Sequence, residues 1–226
     1  MRIFELQPVT VPVAGTDDEF PVRRIYCIGR NYAKHIVEMG YDIKRSKPFF
    51  FGKPADAIVL TGGTVNYPPR TSNLHHEIEL VVAIGRSGRD VAPENVLDHV
   101  YGYAVGIDLT RRDLQTEAKE KGRPWEPAKG FDLSAPISPI HRAEDVGHPD
   151  EGRIWLAVNG EIRQDASLNE LIWSVAESVA ELSTLFEVVP GDLLYTGTPA
   201  GVGPLEAGDE VTGGIEGIDE IQITIR

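Results

Sequence analysis

Glu77 and Glu79 in NLHHEIELVVAIG, with Asp108 at the end of YGYAVGID, are the residues best placed to do chemistry. Read as a strand, the first stretch puts His75, Glu77, Glu79, Val81 and Ala83 on one face and His76, Ile78, Leu80, Val82 and Ile84 on the other. Two carboxylates side by side on a buried strand repel each other and lose hydration, so either one goes neutral or a cation holds both. If the two strands pair, Asp108 brings a third oxygen, and carboxylates without cysteine select Mg²⁺, Mn²⁺ or Ca²⁺. The plainer alternative puts Glu77 and Glu79 on the exposed face of an antiparallel strand. Against it stands LVVAIG, a nearly continuous apolar run typical of a strand covered on both faces.

Several elements must position these groups. TRRDLQTEAKEKG after Asp108 reads as a surface helix with Arg112 and Gln115 on one face. RIYCIG is a short strand leading into RNYAKHIVEMG, a helix that Asn31 can cap and Gly40 can end, with His35 and Glu38 on a common face that by itself suits solvent. Residues 41 to 47 are polar and fit the flank of a mobile lid. PFFFGKP reads as a buried strand whose phenylalanines belong to the core, with Lys53 facing either site or solvent. APENVLDHV is expected as a short helix. RPWEPAKGFDLSAPISPI, rich in Pro and Gly, reads as a structured loop carrying one lysine, Lys129.

Further on, IWLAVNGEIRQD is a hairpin signal around Asn159-Gly160, suited to a type I′ turn. SLNELIWSVAESVAELSTLFEV carries Leu171, Val175, Val179, Leu182 and Phe186 at helical spacing. LLYTGTPAGVG is a strand running into a glycine-rich turn that lets backbone approach a ligand, without the lysine and spacing of a P-loop. Residues 1–23, broken by Pro8, Pro12 and Pro21, read as an edge strand and loops appended to a domain at 24–226.

A formal charge of −13 without a basic stripe argues against nucleic acid or an anionic membrane as partner. A small anionic substrate then needs a local cluster of cations. Cys27 is the single cysteine, which excludes an intrachain disulfide and suits a reducing, cytoplasmic setting. Nothing in the N-terminal residues resembles a secretory leader.

Taken in order, HHEIELVVAIG, GIDLTRRDLQ, AKGFD and TGTPAGVG resemble the motifs of the fumarylacetoacetate hydrolase family. VRRIYCIGRNYAKH and PFFFGKPADA are similar to its short acylpyruvate hydrolase branch. The resemblance implies a mainly β (α+β) fold, a rolled mixed β-sheet with peripheral helices, and a homodimer. It implies metal on Glu77, Glu79 and Asp108, His35 as general base oriented by Glu38, and Lys129 stabilising an enolate oxygen. Arg30, Arg112, Gln115 and Thr198 are implied substrate contacts. The activity implied is hydrolysis of the C–C bond of a 2,4-diketo acid, fumarylpyruvate to fumarate and pyruvate for preference, in the catabolism of aromatic compounds. Decarboxylation or tautomerisation of oxaloacetate on the same site is the alternative within enzymes, and a structural Ca²⁺ site in a β-rich binding module the alternative outside them. His75 and His76 are open between core, second-layer and substrate roles.

Overall fold

The computed structural model describes residues 3–38 and 47–226. Gly40 and the polar stretch 41–46, expected as helix end and lid flank, lie outside the described residues. The architecture is mostly β, a rolled mixed-sheet protein as expected, with an eight-stranded sheet at its centre and sheets of five, three and two strands around it.

The strand Ile78–Ile84 is buried along its whole length, sandwiched between Val100–Ile107 and Asp192–Tyr195, both antiparallel to it. Asp192–Tyr195 in turn runs parallel to Arg24–Gly29, and Phe49–Lys53 closes that edge. Alternation sends Ile78, Leu80, Val82 and Ile84 into the main core, against Ile154, Leu156, Ile221 and Ile223 of the five-stranded sheet and Val179 and Leu182 of the helix Val175–Leu185. Val81 and Ala83 face a second core, which includes Cys27, Tyr195 and, from the N-terminal residues, Val11, Val13, Phe20 and Val22. Burial on both faces explains the continuous apolar run after the two glutamates.

Some elements differ from expectation. The strand through the glutamates is broken: Leu74–His76 belongs to the three-stranded sheet, and pairing in the large sheet resumes at Ile78. The break falls on Glu77, whose carbonyl accepts the Asp108 N–H at 2.8 Å. The short helix expected in APENVLDHV is present at Pro93–His99, as a 3₁₀ helix. The long helical pattern is shorter too, because Leu168–Glu170 is a 3₁₀ turn and the α-helix starts at Val175. One cause is local and one long-range: Ser174 and Glu177 form a capping box, and Asn31 takes the backbone just before it, accepting the Trp173 N–H on Oδ1 at 2.8 Å. Asn31 Nδ2 donates to the Trp173 and Thr196 carbonyls, so this buried side chain ties loops together rather than capping the helix Ala33–Glu38.

The hairpin forms between Arg153–Val158 and Glu161–Ser167, with Asn159 and Gly160 at φ 53° and 79°, the positive pair of a type I′ turn. Among the described residues no helix is long and apolar enough to cross a membrane.

Candidate active site

Backbone register alone gathers the three acids. Glu79 stands opposite Gly106 in the large sheet, Glu77 sits at the strand break, and Asp108 follows the last residue of Val100–Ile107. All three are buried, and each offers an oxygen within 4.8 Å of the other two. Glu77 and Asp108 are held by cations. Lys129 Nζ donates to Glu77 Oε2 and to Asp108 Oδ2, both at 2.6 Å, and Arg112 Nη2 donates to Glu77 Oε1. Lys53, left undecided by the sequence, is buried here: its Nζ lies 2.8 Å from Asp108 Oδ1. That amine donates to the carbonyls of Leu109 and Lys129, so Asp108 Oδ1 receives no directed hydrogen bond.

Both ways of relieving two adjacent buried carboxylates are in use. Burial alone would raise Glu77, but Lys129 and Arg112 outweigh it and hold it well below the ordinary carboxylate range. Glu79 goes the other way: burial, then the negative charges of Asp108 and Glu77, push it well above. The charge of Lys129 and the Gly197 N–H, which donates to Oε2 at 2.8 Å, oppose that rise without cancelling it. Gly197 can come this close because φ is +94° and a Cβ would fall 2.7 Å from that of Asn31. Burial works against charge on Lys129, but Asp108 and Glu77 more than offset it and its pKa is raised.

This donor set fits a divalent cation. Three convergent hard oxygens, one lacking a directed partner and one on a carboxyl whose charged form its surroundings disfavour, are what a dication would complete. Because the surroundings of Glu79 favour its protonated form and a ligand must be ionised, Mn²⁺ binding should release protons, up to about one per ion. Calorimetry in buffers of different ionisation enthalpy measures this, and binding without proton release would mean Glu79 is already ionised.

His35 and Glu38 reach the site from the helix Ala33–Glu38. His35 Nδ1 is 3.1 Å from Glu38 Oε2, and Glu38 also accepts the Gly201 N–H at 3.0 and 3.2 Å, which fastens the helix to the glycine-rich turn. Burial lowers the His35 pKa, against the opposing pull of Glu77 and the Glu38 hydrogen bond. The imidazole is therefore neutral near pH 7, and Nε2 is the nitrogen left to act as a base.

Thr198 is set by a residue that sequence reasoning passed over. Gln164, the fully buried member of the strand Glu161–Ser167, donates through Nε2 to Thr198 Oγ1 at 2.8 Å and to the Pro199 carbonyl. Its Oε1 accepts the Ile78 N–H and faces His76 Nδ1 at 3.0 Å. His76 is thus a buried support with its pKa lowered by burial. His75 is a neighbour of Arg112 and Asn73, pushed down to about 4 by burial and then Arg112. A polar side chain at an inward position of an alternating strand was the available signal. Gln164→Leu should cost about 3 kcal/mol in denaturant unfolding, since it orphans several buried groups at once.

The acids, His35, Arg112, Gln115, Lys129, Thr198 and Arg30 line one cleft, and Glu38 touches it through His35. Arg112 and Gln115 are buried on the inner face of Arg112–Glu120, joined by a 2.6 Å bond from Arg112 Nη1 to Gln115 Oε1. Lys129 is not in a loop but ends a one-turn helix, Glu126–Lys129, which fixes its direction. The phenylalanines expected in the core belong to a half-buried edge strand: Phe50 packs on the main core and Phe51 on the second, while Phe49 and Phe51 also face the cleft with Trp125. Lys119 also lines it. Its place seven residues after Arg112 was legible from helical spacing.

Comparison with known proteins places this geometry. Residues 24–226 match the family described as fumarylacetoacetate (FAA) hydrolase C-terminal. A fumarylpyruvate hydrolase of Ralstonia sp. is 46% identical over 189 residues, 83% of this chain and 98% of that one. The mitochondrial oxaloacetate tautomerase of Homo sapiens is 41% identical over 196 residues, 87% of this chain and 88% of that one. Among solved structures, the fumarylpyruvate hydrolase of Pseudomonas aeruginosa in complex with Mn²⁺ and pyruvate superposes with a TM-score of 0.97 at 52% identity, covering 100% of this chain and 99% of that one. The chain belongs to the fumarylacetoacetate hydrolase family.

Proposed function

We propose that the protein is a metal-dependent hydrolase of the C–C bond of acylpyruvates, with fumarylpyruvate as substrate and fumarate and pyruvate as products. The observation that carries this reading is one cleft holding a buried triad of hard carboxylates, a neutral His35 held by Glu38, and the cations Lys129 and Arg112. Glu77, Glu79 and Asp108 are the residues that would hold the ion. When bound, a divalent ion supplies Lewis-acid stabilisation of negative charge on the pyruvate half.

The chain's own groups account for the rest. Glu38 holds Nδ1 of His35, so Nε2 takes a proton from water as the oxygen attacks the C4 carbonyl. The C3–C4 bond then breaks, its electron pair passes to C3 as the pyruvate enolate, and a proton returned to C3 gives pyruvate. Lys129 and Arg112 provide positive charge beside the developing enolate, in a protein whose overall charge is −13. Gln115 and Thr198, both buried and both hydrogen-bonded to a second side chain, are fixed donors for the substrate's oxygens.

Mg²⁺ or Mn²⁺ is the proposed ion, on the hardness of the donors. A homodimer, a cytoplasmic setting and a role in the breakdown of aromatic compounds complete the proposal and rest on the family likeness and the single, buried cysteine. A second reading, tautomerisation or decarboxylation of oxaloacetate, is favoured by the tautomerase likeness and needs no attack by water on carbon. The test is ultraviolet-monitored loss of fumarylpyruvate, acetylpyruvate and oxaloacetate in Mg²⁺, in Mn²⁺ and in excess EDTA. Metal-dependent release of pyruvate from the diketo acids supports the hydrolase. Consumption of oxaloacetate alone replaces it with the second reading.

A further inference from the structure

The active-site cleft has a second cationic end that the chemistry above does not use. Lys119 and Arg112 lie on the same helix, Arg112–Glu120, seven residues apart, and both line the cleft. That spacing is two turns, so they share a face and stand roughly 10 Å apart along the axis. Arg112 is bonded to Glu77 at the metal-ligand end. Lys119 stands near the aromatic wall instead, with Nζ 5.2 Å from the centre of the Trp125 ring. Phe49 meets Trp125 edge-on at 5.3 Å, and the Arg30 guanidinium lies 5.6 Å from the centre of the Phe49 ring. The cleft thus has buried acids and cations at its floor and half-buried rings along its side, with Lys119 and Arg30 against those rings.

We propose that Lys119, assisted by Arg30, is a specificity-determining residue that binds the distal carboxylate of a dicarboxylate acylpyruvate; the inference rests on the acylpyruvate reading of this cleft. A seven-carbon 2,4-diketo diacid measures roughly 8 Å between its carboxyl carbons when extended. That is close to the two helical turns between Arg112 and Lys119, and the flexible lysine stem covers the difference. The conjugated middle of such an acid is planar and suits the rings of Trp125 and Phe49. Burial, then Arg112 and Arg30, push the Lys119 amine down to about 8, a crowding of positive charge that an arriving carboxylate relieves. A monocarboxylate such as acetylpyruvate reaches the floor of the cleft and brings no carboxylate to this end.

Two acids that are not cleaved isolate the contact: 2-oxoheptanedioate and 2-oxoheptanoate have the same seven carbons and differ only in the distal carboxylate. Calorimetry on the Mn²⁺-loaded protein should show the diacid preferred by about tenfold, near parity in Lys119→Met, and most of the preference kept in Lys119→Arg. The ratio of kcat/KM for fumarylpyruvate over acetylpyruvate should fall about tenfold in Lys119→Met. Equal binding of the two acids by the parent protein, or a preference that survives Lys119→Met, overturns the inference and leaves the hydrolase reading standing. Preferential binding through Lys119 in a protein that cleaves neither diketo acid overturns the hydrolase reading and supports the inference.

Discussion

Glu79→Gln is expected to abolish metal-dependent turnover while leaving the metal-free protein as stable as its parent. The reasoning starts from protonation. In the metal-free chain burial and two neighbouring carboxylates disfavour the charged form of Glu79, so an uncharged amide of the same shape suits that environment. Its oxygen can still accept the Gly197 N–H, as Glu79 Oε2 does at 2.8 Å. The melting temperature in EDTA should therefore change little. An amide cannot shed a proton to become an anionic ligand, however. Losing even an outer partner of a metal ligand costs about 10- to 100-fold in affinity, and a direct ligand should cost at least that. Mn²⁺ should no longer raise the melting temperature at concentrations that saturate the parent, and the released proton should disappear from the calorimetric balance. Asp108→Asn should be harsher for the fold, because Lys53 and Lys129 are both buried against that carboxylate and would lose its charge. Thermal scans with and without Mn²⁺ separate the two variants. A Glu79→Gln protein that binds Mn²⁺ as the parent does would remove Glu79 from the ligand set.

The contrast between these two variants shows what a sequence can and cannot say about such a site. The acids were legible because strand alternation and pairing are short-range rules: a Glu-x-Glu on a buried strand, and an Asp where the neighbouring strand ends, converge whenever the two strands pair. Which carboxylate goes neutral was not legible. It depends on Lys129 and Arg112 both reaching Glu77 rather than Glu79, and Lys129 arrives from a one-turn helix inside a Pro- and Gly-rich stretch with no periodic pattern. Lys53 was undecided for a related reason, since a lysine at the end of an edge strand has no sequence feature that says whether it turns inward. Asn31 was misread because local capping chemistry and long-range ties to Trp173 and Thr196 call for the same side chain. The long helical pattern overran its true start in the same way. Residues 171–174 follow helical spacing, but Asn31 and the Ser174 capping box claim their backbone.

His35→Ala should lower kcat for fumarylpyruvate by about 10²- to 10⁴-fold with the Mn²⁺-induced thermal shift intact. No carboxylate of the triad depends on the imidazole for a hydrogen bond, so the metal site should persist. The pH profile gives a sharper reading than the rate. A base must be neutral to act, and burial lowers the His35 pKa below 6.5. The acid limb of kcat/KM in the parent should therefore have its midpoint below pH 6.5, and a dication at the triad would push it further the same way. Glu38→Gln removes an interaction that raises this pKa, so its acid limb should move to still lower pH while kcat falls through loss of orientation at Nδ1. If His35 acted as an imidazolium acid, the same pKa would appear instead as an alkaline limb, with activity falling as pH rises. The same carboxylate also holds the Gly201 N–H, so Glu38→Gln loosens the glycine-rich turn as well, and its KM should rise where that of His35→Ala does not. An acid limb above pH 6.5, or one unmoved by Glu38→Gln, would assign the base to another group. Fumarylpyruvate cleavage at the parent rate by His35→Ala would remove general-base catalysis by this histidine from the mechanism.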